Sequence, residues 1–110
     1  MNKLRKKNIL NIIKRLNELL KYMHIYNIDQ IVEIVEDILD NVICIFDEEE
    51  TYFYNIPENL QSGIRYEISE NACDNLEDTI SELEYIDCDC SKEDISEYIT
   101  NAIKNLNNCI

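Results

Sequence analysis

The stretch Ile28–Phe46, IDQIVEIVEDILDNVICIF, restricts the fold more than any other part of the chain. Ile28, Ile31, Val32, Val35, Ile38, Leu39, Val42, Ile45 and Phe46 recur at steps of three, four and seven, which draws one stripe along a helix. Asp29, Glu33, Glu36, Asp37 and Asp40 fall on the other side. A strand fits worse, because alternation would place Glu33 and Val35 on one face with Ile31. The β-branched content favours strand locally, but the period and the length outweigh it. About eight such side chains are worth roughly 1.5–3 kcal/mol each when buried, before entropy is subtracted. A lone helix cannot collect that energy, so the stripe demands partner helices.

The flanking segments supply them. Leu4, Ile9, Ile12, Ile13, Leu16, Leu19, Leu20 and Met23 form the apolar side of a first helix over 3–26. The second helix starts at 29, capped by Asn27 or Asp29. Tyr52, Phe53 and Ile56 carry its period on to 54, and Pro57 stops it. Pro57 can open a short PENLQ turn, and Gly63, the only glycine, marks a bend. A third helix over 64–87 carries Ile68, Ala72, Leu76, Ile80, Leu83 and Ile86. After DCDC at 87–90, Ser91 caps a fourth helix over 92–108, with Asp94 three residues on. Its stripe is Ile95, Tyr98, Ile99, Ala102, Ile103, Leu106 and Ile110. These four amphipathic helices predict a single all-α domain, an antiparallel bundle or pair of helical hairpins. One Gly and one Pro leave little turn chemistry for an all-β fold.

Charge divides the chain. Residues 1–23 hold seven of the ten basic residues and one acid, a balance of +6; the remainder holds three basic residues against twenty-two acids, a balance of −19. The basic first helix, with Lys6, Lys7, Lys14, Arg15 and Lys21 outward, taken alone suits a membrane surface or nucleic acid. Packing in the bundle, with those cations solvated or paired to acids, is favoured, because the acidic body repels phosphates. Direct nucleic-acid binding is therefore not expected. No apolar run approaches the ~20 residues of a membrane span, and the N-terminal segment has no apolar signal core. Five cysteines without framework spacing read as free thiols in a reducing cytoplasm.

Sites for chemistry are scarce. Cys88 and Cys90 between Asp87 and Asp89 are two soft ligands where a structural zinc site wants four. Cys44, Cys73 and Cys109 read as small apolar side chains. His24 is the only histidine, and Arg15 lies nine residues before it, which excludes the small helical ribonucleases whose Arg is followed by His within four to six residues. There is no phosphate-cradling glycine loop. No catalytic residue, cofactor or metal ligand is expected.

The segment Asn55–Glu84, NIPENLQSGIRYEISENACDNLEDTISELE, resembles one found in small acidic helical proteins of phages and prophages of low-GC Gram-positive bacteria. The resemblance rests on Asn55, Pro57, Glu58, Asn59, Leu60, Gln61, Ser62, Glu67, Asp74, Asn75, Leu76, Glu77, Ile80, Leu83 and Glu84. It implies a helical hairpin in a phage context and carries over no catalytic residue. The chain departs from that pattern in its basic first helix, its five cysteines and its fourth helix.

Together these features suggest a non-enzymatic inhibitor, similar to anti-CRISPR and other anti-defence proteins, in the cytoplasm of a bacterial host. Its partner would be a host protein with a basic, nucleic-acid-binding surface. The expected contact residues are Glu67, Glu70, Asp74, Glu77, Asp78 and Glu82, the acidic run Asp47, Glu48, Glu49 and Glu50, and the aromatics Tyr52 and Tyr54. The alternatives are a self-associating coiled coil, as a homodimer, or an acidic antitoxin or immunity protein.

Overall fold

Asn27 sets where the longest helix begins. Its Oδ1 accepts from the Gln30 amide at 2.8 Å, while Gln30 Oε1 accepts from the Asn27 amide at 3.0 Å. This capping box satisfies two donors that a helix start leaves open. In the computed structural model, which describes residues 1–110, the helix that follows (α2) spans Ile28–Tyr54. Before it, α1 spans Lys3–Tyr22, and after it come α3, Ile64–Glu84, and α4, Lys92–Asn107. Single 3₁₀ turns occupy Met23–Ile25 and Glu58–Leu60. The protein is all-helical, with no strand.

Two helices stop earlier than their apolar spacing suggests. After Tyr22 the backbone tightens, the Tyr26 amide bonds Met23 O at 3.3 Å, and the chain turns extended so that Asn27 can cap α2. At Glu84 the amides of Tyr85 and Ile86 close on Glu82 and Leu83, which turns Ile86 into the core. Ser91 Oγ accepts from the Asp94 amide at 3.1 Å and opens α4.

The buried positions follow steps of three and four in every helix. They are Ile9, Ile12, Leu16, Leu19 and Met23 in and just after α1, and Ile31, Val35, Ile38, Val42 and Ile45 in α2. In α3 and its end they are Ala72, Leu76, Thr79, Leu83 and Ile86; around α4 they are Ile95, Ile99, Ala102, Leu106 and Cys109. That repeat, 3.5 residues on average, is the packing period of bundles and coiled coils. Thr79 is tolerated inside because its hydroxyl donates to Asn75 O at 2.8 Å.

Each helix packs on its two neighbours around a square, α2 on α1 and α3, α4 on α3 and α1. The pairs Arg5–Glu49 and Arg15–Asp37 run α1 antiparallel to α2, and Lys92 Nζ reaches Met23 O at 3.2 Å to tie the start of α4 to the end of α1. The result is an up-down-up-down bundle of 51 × 23 × 18 Å.

The two ends of this bundle differ. α2 is about 40 Å long and α1 about 30 Å at ~1.5 Å per residue. Arg5 sets the start of α1 level with Glu49, so the hairpin tip of α2 and α3 runs past α1 and α4. Leu4, Ile68 and Ile110, placed inside by their spacing, are 62%, 48% and 46% exposed there. Spacing along one helix does not reveal that its neighbours have already ended. Arg5, Ser69 and Cys109, each one residue away, turn inward instead.

Candidate functional site

The outer face of α3 is a line of carboxylates. At about 100° per residue, Glu67, Glu70, Asp74, Glu77 and Asp78 fall within about 100° of the helix circumference, opposite the core positions Ala72, Leu76 and Leu83. All five are exposed. None forms an ion pair within the chain, whose two ion pairs are Arg5–Glu49 and Arg15–Asp37. Glu82 lies at the edge of the line, half-buried against α4, with Asn101 Nδ2 3.5 Å from its Oε2. Arg65 is the only cation in α3, so nothing along the helix relieves the repulsion. Packing of the opposite face holds the helix together.

The acidic run on α2 does not behave as a unit. Asp47 and Glu48 are exposed and Glu50 is half-buried. Glu49 departs from the expectation of a partner-contacting residue: it is completely buried. The core series of α2 reaches it four residues after Ile45, and Tyr52 follows three later, so Glu49 stands where the bundle wants an aliphatic side chain. Arg5 occupies the matching place in α1, four residues before Ile9. Its Nη2 lies 3.2 Å from Glu49 Oε2, and its guanidinium lies 5.6 Å from the centre of the Tyr52 ring. The contact is ionic, without an aligned hydrogen bond to either carboxylate oxygen. Tyr52 and Tyr54 are exposed, Tyr54 by 74%. Phe53 turns instead toward α3, with its ring 4.7 Å from Tyr66.

Around this pair lie the buried Ser69, Cys73 and Cys109. Burial and the charges of Glu49, Glu50 and Asp74 push the Cys73 thiol from 9.0 up to about 11. Burial, Glu49 and Cys73 together push Cys109 up to about 12. Both thiols are therefore protonated and shielded at neutral pH, and thiols in that state are weak nucleophiles. His24, exposed on the turn after α1, lies at the other end of the bundle.

The DCDC segment is a folded turn. Asp87 Oδ1 accepts from the Asp89 amide at 2.9 Å, and Cys90 Sγ lies 3.3 Å from Tyr85 O and 3.4 Å from Asp87 Oδ1. Cys88 lies on the side of Asp29, whose nearby carboxylate favours the protonated thiol and raises its pKa. The two cysteines thus diverge. No three of the His, Cys, Asp and Glu side chains converge as metal ligands do. No helix is long and apolar enough to cross a membrane.

The carboxylates of α3 are evident in the sequence, whereas the Arg5–Glu49 layer is masked by the acidic run around Glu49. The signal lay in extending the count of three and four beyond Ile45 and before Ile9. No protein-family model, curated protein or solved structure matches the chain.

Proposed function

We propose that this chain is a non-enzymatic, phage-encoded inhibitor that binds a nucleic-acid-binding protein of its bacterial host, such as a CRISPR-type defence nuclease. In this reading it uses the carboxylate line of α3. Glu67, Glu70, Asp74, Glu77 and Asp78 stand in for phosphates, while Glu82 at the edge of the line adds charge beside them; Glu48, in the groove between α1 and α2, is not part of this surface.

The observation that carries this reading is spacing without internal partners. The five carboxylates span twelve residues, about 16 Å of helix axis, or roughly one charge per 4 Å. A DNA strand carries one per ~3.4 Å. A basic channel that tracks a phosphate backbone would meet a similar charge density on a rigid rod. Inhibition would follow from occupancy, since the protein and the nucleic acid would compete for the same cations.

Immobilised wild-type protein and the variant Glu67→Gln/Glu70→Gln/Asp74→Asn/Glu77→Gln/Asp78→Asn, exposed to host lysate, test the proposal. The wild type should retain a nucleic-acid-binding protein that excess DNA displaces, and the variant should not. A partner held equally by both, or retained unchanged at about 1 M salt, where screening acts within ~3 Å, would exclude this mechanism.

A further inference from the structure

The helices of the bundle do not end together, and the surplus has a composition of its own. Asn71 Nδ2 donates to Asn108 O at 3.1 Å, which marks where α4 leaves α3. Beyond that level, and beyond Glu49 on α2, the α2–α3 hairpin outruns α4 and most of α1; only Met1, Asn2 and Arg5 reach its base, across from Tyr52, Arg65 and Ile68. Its inward register does not change. Tyr52 and Ile56 extend the core series of α2, and Ile64 and Ile68 extend the side of α3 that carries Asn71 and Asn75 toward α4.

Ile56 is buried as the floor of this face, and the side chains above it lack a cover: Ile64 is 74% exposed, Leu60 55% and Tyr52 38%. An open groove of about 410 Å³ runs between Tyr52, Ile56, Pro57, Leu60, Ile64 and Arg65. Ile68 continues it toward Ile110. Arg65 edges it as an exposed cation with no ion pair in the chain.

We propose that this face is covered by the same face of a second copy, tip to tip about a twofold axis. Each layer of the bundle below the tip has four helices, and the tip has two. A second tip supplies two more, so the shortfall and the supply match. The charges at the rim are of both signs, with Arg65 on α3 and exposed Glu58 on the turn beside it, so one copy can neutralise the other. The exposed fractions amount to several hundred square ångströms of apolar surface. That is the size of the largest apolar patch on a typical monomer, ~300–600 Å² and often functional; a stable twofold contact, at ~800 Å² per partner, would have to include the polar rim of the tip as well. Such a contact uses the same patch on both copies and closes at two. It uses a different side of α3 from the carboxylate line, of which Glu67 alone borders the groove, beside Ile68.

Sedimentation velocity on the full chain tests this directly. Wild type at about 100 µM, far above a Kd of ~1 µM, should sediment with twice the monomer mass of 13.0 kDa. Ile64→Lys, at a side chain already mostly in water, should keep the helical circular dichroism and run as a monomer. Arg65→Glu should weaken dimerisation at least tenfold. A wild type that stays monomeric, or a dimer that persists in Ile64→Lys, would overturn the proposal.

Discussion

Glu49 and Arg5 form a charged layer that continues the aliphatic layer of Ile9 and Ile45 toward the hairpin tip. Removing one member of a buried ion pair leaves an uncompensated charge, whereas replacing both with apolar residues is often neutral or stabilising. Arg5 keeps a little solvent contact, 11% of its side chain. Glu49→Ala should therefore destabilise by roughly 2–4 kcal/mol, toward the lower part of the range for buried pairs. Arg5→Met/Glu49→Leu should cost little or raise stability. Urea unfolding midpoints of the three proteins check this; equal losses in the single and double variants would contradict it. The two buried thiols titrate beneath the same charges. Their folded pKa values lie above the unfolded value, so their contribution is fully present below about pH 9. It is lost as pH rises toward 11 and 12, at up to about 1.4 kcal/mol per pH unit for each thiol. The stability gap between wild type and Cys73→Ala/Cys109→Ala should shrink from pH 8 to pH 11. A constant gap would contradict the shifts.

At the scale of the element, α3 is held by one face and strained by the other. Seven acids and one arginine in twenty-one residues leave it dependent on Ala72, Leu76, Thr79 and Leu83. Neutralising Glu77 and Asp78 as Glu77→Gln/Asp78→Asn should raise the thermal midpoint by a few degrees, because like charges at helical spacing each cost a few tenths of a kcal/mol. The gain should fade in 0.5 M salt; a lower midpoint would mean that these carboxylates make stabilising contacts. The helices themselves were legible in the sequence because apolar spacing, Asn27, Pro57 and Ser91 all point the same way. The inward turn of Glu49 was not, because four consecutive acids read as a solvated run and mask the continuing count from Ile45 to Tyr52. Nor were the exposures of Leu4, Ile68 and Ile110 legible. They depend on where three other helices stop, which no single stripe encodes.

At the scale of the whole molecule, charge and shape separate two surfaces. The outer length of α3 presents unpaired carboxylates, and the hairpin tip presents unpaired apolar side chains beside one cation. The carboxylates of α3 were visible in the sequence as residues; their assembly into one line without ion-pair partners emerges only from the bundle. The most direct test of the carboxylate line is the salt dependence of binding to the captured host protein. Log Kd against log salt should be steep for wild type, since each phosphate-like contact displaces counterions. It should flatten markedly, with weaker binding at low salt, for the variant neutralised at Glu67, Glu70, Asp74, Glu77 and Asp78. Identical slopes and affinities for the two proteins would contradict the account.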